Sequence, residues 1–236
     1  MTDTVHVYAV SLQQPAERVP ACALILAPDE RERAARFVFE RDRRRYTVAR
    51  WALRMILARY VDVPPGELEF RYGPRGKPAL RGPASLCFNA SHSGELAVVG
   101  VARGRELGID IEWVRPVEDA LGIAEQFFCE AEHASLRAAQ GVDRLATFFR
   151  YWTRKEAILK ATGEGLGLPL NCVDVGWPSS PSAVVHPVQV QDASAVTRHF
   201  GVLDLSVSDG FNSAIAVEGS PGWRLEHQRL AESLYL

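Results

Sequence analysis

Ser93-Gly94-Glu95-Leu96-Ala97-Val98-Val99-Gly100-Val101 is echoed later in the chain by Asp209-Gly210-Phe211-Asn212-Ser213-Ala214-Ile215-Ala216-Val217. Each copy places a turn-forming pair, Ser-Gly or Asp-Gly, ahead of a run that suits a buried strand. Working outward, each copy is preceded by a strand, then helices, then the other arm of a hairpin. The repetition predicts a duplicated α+β fold: two pseudo-symmetric α/β halves, each an antiparallel sheet packed against helices. The expected halves are residues 1–105 and 106–236, with the C-terminal tail packing back on the first.

Local patterns fill in this frame. Residues 5–10 alternate and predict a strand. Asp29 and Glu30 put acids into the first turn of a helical stretch. Phe37, Val48, Trp51, Met55 and Leu57 carry helical spacing on to Tyr60, as one helix or two. Leu68–Tyr72 reads as a short strand, Gly73–Pro78 as a turn, and Leu86–Asn89 with Leu96–Ala102 as a hairpin around Ser91-His92-Ser93-Gly94. Leu107–Glu112 is another strand, and helices are expected at about 117–139 and 143–161. Antiparallel strands follow, with Pro/Ser-rich turns at Pro178–Pro187, ending near Val217.

The 236 residues are 47% hydrophobic and 24% charged, enough to bury a sizeable core. The net charge of -2 gives no global attraction to nucleic acid or membrane, and no apolar run reaches membrane-span length. The N-terminus reads as a first strand rather than a signal segment. Four widely spaced cysteines with no C-x-x-C fit a reduced cytoplasmic protein. Of the 27 basic residues only Lys77, Lys155 and Lys160 are lysines, which leaves 24 arginines. Where arginine is the default cation, a retained lysine points to a need for a compact ammonium.

Gly108-Ile109-Asp110-Ile111-Glu112 carries the most chemistry. In a strand, Ile109 and Ile111 face one way, and Asp110 and Glu112 face the other side by side. Such a pair suits a hard cation such as Mg²⁺, but taken alone the pattern is more often a solvated strand face with two ordinary acids. In Trp152-Thr153-Arg154-Lys155-Glu156-Ala157-Ile158-Leu159-Lys160, the side chains of Trp152, Glu156 and Lys160 share one helical face. Lys160 can meet a phosphate oxygen there, or simply pair with Glu156 at the surface. Phe88-Asn89-Ala90-Ser91-His92-Ser93 offers an imidazole and two hydroxyls to an anion, without the G-x-S-x-G of a hydrolase elbow. Gly163-x-Gly165-x-Gly167 follows a helix instead of joining a strand to one, against a dinucleotide fingerprint.

In this order, the three stretches with Lys160-Ala161-Thr162-Gly163-Glu164-Gly165-Leu166 resemble the motifs of the 4'-phosphopantetheinyl transferases. Gly76-Lys77-Pro78, Phe127-Phe128 and the basic stretch from Arg33 to Arg54 add to the likeness, which covers about residues 24 to 217. The length resembles the long, surfactin-synthetase-activator type, a pseudo-dimeric monomer. Trp152 and Lys155-Glu156-Ala157 resemble its W/KEA subgroup.

The resemblance implies transfer of phosphopantetheine from coenzyme A to a serine of an apo acyl or peptidyl carrier protein, as in polyketide and nonribosomal peptide synthesis. Adenosine 3',5'-bisphosphate is released. It implies Mg²⁺, or Mn²⁺, on Asp110, Glu112 and Glu156. Coenzyme A contacts would come from Arg33, Arg45, Lys77, Ser91, His92, Lys155 and Lys160. Glu156, Lys160 and Glu132 would be catalytic, with Glu156, a metal-bound water or Glu132 taking the serine proton. Glu30 stands where relatives often have a basic residue on the nucleotide-binding helix, and Arg33 or Arg36 would take over its contact. The competing expectations are a Mg²⁺-dependent phosphodiesterase or nuclease using the same acids, and a non-catalytic homologue that binds coenzyme A or a carrier.

Overall fold

The computed structural model describes residues 3–82, 85–165, 168–177, 184–191 and 195–230. Gly167 of the glycine run, most of the Pro178–Pro187 turns and the last six residues of the tail, 231–236, lie outside the described residues.

In the first half, strand β1 (Thr4–Ser11) leads to helices α1 (Val19–Ile25), α2 (Pro28–Ala35) and α3 (Glu40–Ala58). A small ribbon of β2 (Phe70–Tyr72) and β3 (Pro78–Leu80) precedes the hairpin of β4 (Leu86–Ser93) and β5 (Leu96–Arg103). The second half repeats the order: β6 (Leu107–Trp113), helices α4 (Ala120–Phe127), α5 (Glu130–Ala138) and α6 (Gly141–Thr162), then β7 (His186–Gln191), β8 (Thr197–Asp204) and β9 (Phe211–Glu218). In each half the opening strand pairs antiparallel with the last strand of the hairpin, β1 with β5 and β6 with β9. Gly94 and Gly210, the turn glycines of the two copies, have φ of +55° and +78°, where a side chain would be strained. The fold is α+β in two similar halves.

With a last strand, β10 (Arg224–Gln228), the two sheets β10-β1-β5-β4 and β6-β9-β8-β7 face one another in the middle, with helices outside. Val5, Val7, Val98, Leu107, Ile109, Ile111, Ile215 and Val217 form the apolar layer between them. Trp51, Leu53, Ile56 and Leu57 of α3 cover the outer face of the first sheet. Phe148, Ile158 and Leu159 of α6 cover that of the second. Ile109 and Ile111 thus point into the core between the sheets, while Gly108, Asp110 and Glu112 face α6. A Cβ at Gly108 would overlap the carbonyl oxygen of Ala157 and the amide nitrogen of Ala161, so α6 rests directly on this glycine.

Several elements differ from the sequence reading. The helix expected at about 117–139 is two helices, because Glu132 turns back to accept from the Cys129 amide at 2.9 Å and starts a new N-terminus. Helix α1 was not expected; Pro20 sits in its first turn, where a missing N–H costs nothing. Ser91, His92 and Ser93 continue β4 rather than forming a turn, because they pair with Val98, Ala97 and Leu96 of β5 while the two serine hydroxyls bond across to β6. Strands do not end near Val217: β10 (Arg224–Gln228) returns to the first half and pairs parallel with β1.

Candidate active site

Strands β4 and β6 meet at the seam between the halves, and side chains, not a backbone ladder, join them. The Ile109 amide donates to Asn89 Oδ1 (3.0 Å), Ser91 Oγ donates to Asp110 Oδ1 (2.8 Å), and Ser93 Oγ donates to Glu112 Oε2 (2.8 Å). Asn89, Ser91 and Ser93 alternate along β4, so all three project toward β6. The α6 side of this seam supplies Glu156 and Lys160.

Lys160 Nζ donates to Asp110 Oδ1 at 2.6 Å and to Ser91 Oγ at 2.9 Å. Its side chain stays 28% exposed, so a third N–H can face an incoming ligand. Asp110 is only 3% exposed and its Oδ2 has no hydrogen-bond partner among the described residues, which excludes the solvated-face reading for this acid. Burial, then the neighbouring Asp110 and Glu112 charges, push the Glu156 carboxyl above its ordinary range against the pull of Lys160. Glu112 is raised chiefly by burial, with the Asp110 charge adding to it. Asp110 thus holds the ammonium while Glu112 and Glu156 stand near enough to feel its charge and that of Lys160, and one Asp110 oxygen is buried and unpaired among the described residues. An all-oxygen donor set with excess negative charge fits a hard divalent cation such as Mg²⁺.

The other expected residues separate into groups. His92 lies beside the cluster; burial, then Lys160 and Arg45, hold its imidazolium below the usual range, so the ring is a neutral hydrogen-bonding group at pH 7. Arg45 reaches the turn between β4 and β5 and bonds Glu95, with Asp42 3.5 Å away. Arg33 is exposed on α2, its guanidinium 5.5 Å from the Tyr46 ring centre. Lys77 Nζ is engaged by Glu106 (2.7 Å), the Ala161 carbonyl (3.1 Å) and the Leu107 carbonyl (3.2 Å), which uses all three ammonium donors. Its stem and the Arg75–Glu164 carbonyl contact flank a cavity of about 290 Å³ that opens onto Glu156 and Lys160.

Lys155 and Glu132 are not brought to the cluster. Lys155 is 1% and Glu132 0% exposed, joined at 2.8 Å. Lys155 also donates to the Leu170 and Val173 carbonyls, and Glu132 accepts from the Val175 and Cys129 amides. Every strong group of this pair is satisfied within the protein, so neither can reach coenzyme A or a serine proton; they tie α5, α6 and residues 170–175 together. Cys129, Glu132 and Asp174 stand close enough to share an ion, but Glu132 is already committed to Lys155. Glu30 is likewise internal: burial opposes its charge, yet Arg54 at 2.6 Å, with Arg50, holds its carboxyl below the usual range. It anchors α2 on α3. Sequence reasoning missed Ser93 as the partner of Glu112; the polar i, i+2 pattern of Asn89, Ser91 and Ser93 on an apolar strand was the available signal.

Comparisons with known proteins cover both halves of the chain. Residues 14–103 match the family described as 4'-phosphopantetheinyl transferase, N-terminal, and residues 106–215 match the 4'-phosphopantetheinyl transferase superfamily. The chain is 38% identical over 227 residues to the 4'-phosphopantetheinyl transferase HetI of Nostoc sp., covering 95% of this chain and 91% of that protein. It is 31% identical over 150 residues to the 4'-phosphopantetheinyl transferase Sfp of Bacillus subtilis, 64% of this chain and 66% of that one. Against the 4'-phosphopantetheinyl transferase AcpT of Salmonella typhimurium it is 40% identical over 135 residues, 57% of this chain and 68% of that protein. With both halves matched in order and a relative 38% identical over 95% of the chain, the chain belongs to the 4'-phosphopantetheinyl transferase superfamily.

Proposed function

We propose that the protein transfers the 4'-phosphopantetheine group of coenzyme A to a serine hydroxyl of an apo acyl or peptidyl carrier protein, releasing adenosine 3',5'-bisphosphate. The observation that carries this reading is the junction of Asp110, Glu112 and Glu156 with Lys160 at the seam of a fold from this family. Phosphoryl transfer demands charge neutralisation and in-line placement more than covalent help from the protein. Asp110, Glu112 and Glu156 would hold Mg²⁺ or Mn²⁺, and the ion would supply the charge that balances a pyrophosphate. Lys160, fixed by Asp110 and Ser91, directs its free N–H at a phosphate oxygen. Ser91, His92, Arg45 and Arg33 line the approach for the nucleotide and its 3'-phosphate. Lys77 acts there through the turn it holds, since its ammonium is saturated. Glu156 has no hydrogen-bond or ion-pair partner among the described residues, so one of its oxygens can turn to the ion while the other takes the serine proton. Trp152 with Lys155-Glu156-Ala157 supports a place in the W/KEA subgroup, the two halves in one chain support a monomer, and four free cysteines suit the reducing cytoplasm.

Incubation with coenzyme A, Mg²⁺ and apo-carrier protein, followed by mass spectrometry, tests the reading. A carrier heavier by one phosphopantetheine is expected, and chelation of the metal or Asp110→Asn should remove the product. Release of nucleotide without carrier modification would favour a phosphodiesterase, and binding of coenzyme A without turnover a non-catalytic homologue.

A further inference from the structure

Between α2 and α3 the chain exposes three consecutive apolar side chains. Phe37 is 36%, Val38 89% and Phe39 68% accessible. The exposure does not come from a loose loop. The Phe37 amide donates to the Ala34 carbonyl, and the Asp42 and Arg43 amides donate to the Phe39 carbonyl, so the segment is pinned by both helix ends. The Phe37 ring rests on Tyr46, centres 5.3 Å apart, which leaves Val38 and Phe39 as the projecting pair. Adjacent solvent-facing apolar side chains held in a fixed conformation mark a contact surface.

The charge around them is also unusual. Leaving out Arg33 and Arg45, which face the nucleotide approach, residues 31–44 still hold five arginines against Glu32, Glu40 and Asp42, a local excess of two positive charges in a chain whose net charge is -2. The location ties this patch to the active site. Arg45, about 9 Å along the helix from Phe39 at 1.5 Å per residue, grips Glu95 in the turn between β4 and β5. Ser93, beside that turn, holds Glu112. The apolar tip and its arginines thus open at the end of the molecule that carries the carboxylates.

We infer that Val38 and Phe39, with the flanking Arg41, form a docking surface for the carrier protein. The patch fits a partner that offers an acidic surface with an apolar spot near its reactive serine. This rests on the transfer reading above and adds where the second substrate is gripped. A nucleotide phosphate could use the arginines alone, but it gives no role to an exposed Val-Phe pair; a protein surface uses both.

The experiment uses the full chain with coenzyme A and an apo-carrier, measuring KM for each substrate in wild type, Val38→Glu, Phe39→Glu and the double variant. Because both side chains are exposed, the thermal midpoint should not move. The carrier KM should rise at least about tenfold in the double variant, a change of ~1.4 kcal/mol, while that for coenzyme A stays at its wild-type value. The wild-type carrier KM should also climb with salt, and Arg41→Glu should flatten that dependence. An unchanged carrier KM in the double variant overturns the proposal. A parallel rise in the coenzyme A KM overturns it too, by assigning the loop to the nucleotide. Wild-type modification of the carrier is required by the transfer reading, and its absence would overturn both together.

Discussion

At the scale of single residues, Lys160 is the most exposed to test. Its ammonium fits between Asp110 Oδ1 and Ser91 Oγ while a third donor points outward. Arginine is the default cation of this chain, yet a planar guanidinium cannot occupy that point without displacing one of the two. Lys160→Arg should therefore keep the charge and still lose at least about tenfold in kcat, or ~1.4 kcal/mol of transition-state stabilisation. Wild-type kcat in Lys160→Arg would show that charge alone suffices. His92 offers a second test. It sits beside the cluster as a neutral donor, and a hydrogen bond to phosphate is worth about 1.5–3 kcal/mol. His92→Ala should raise the KM for coenzyme A far more than that for dephospho-coenzyme A; equal losses would move the ring away from the 3'-phosphate.

At the scale of elements, the contact of α6 on β6 sets where Glu156 and Lys160 stand. Gly108→Ala places a methyl group against the α6 backbone at Ala157 and Ala161, and backbone cannot rotate out of the way. Overpacking of this kind costs about 1–3 kcal/mol, and a shift of ~1 Å in a catalytic helix costs about a hundredfold in rate. Measured kcat and thermal midpoint should both fall; an unchanged kcat would mean that α6 is placed from elsewhere. The buried Lys155–Glu132 pair fixes the same helix from its other side. Glu132→Gln leaves a buried ammonium without its counter-charge and should cost about 3–5 kcal/mol in chemical denaturation. The double variant Glu132→Met, Lys155→Met should regain much of that stability and keep its kcat, as a catalytic Glu132 would not allow.

At the scale of the whole molecule, the two halves must stay in register for the seam to work, and Lys77 spans it. From the first half it reaches Glu106, the start of β6 at Leu107 and the last turn of α6 at Ala161. Lys77→Met keeps the packed stem but releases all three bonds. The variant should raise the KM for coenzyme A several-fold, about 1 kcal/mol of lost positioning, with a smaller effect on kcat. A direct phosphate contact by Lys77 would instead make the loss depend on which phosphate the substrate carries, so comparison with dephospho-coenzyme A separates the two roles.

What the sequence by itself determined was the α+β class and which side chains share a face. The hairpin copies at Gly94 and Gly210, the outward Asp110 and Glu112 opposite Ile109 and Ile111, and the common face of Glu156 and Lys160 all follow from periods of 2.0 and 3.6 residues, which are local properties. What only the tertiary structure decided was the surroundings of each face. Asp110 and Lys155 differ from ordinary surface charges because of Ser91, Lys160, Leu170, Val173 and Glu132, partners brought in by packing rather than by sequence neighbourhood. Lys155 and Glu156 are adjacent in sequence, yet the helix turns one toward a buried carboxylate and the other toward the cluster. The parallel pairing of β10 with β1 and the internal role of Glu30 have the same origin: burial and partner choice are set by which surfaces meet once the two sheets close on each other, and no local period encodes that meeting.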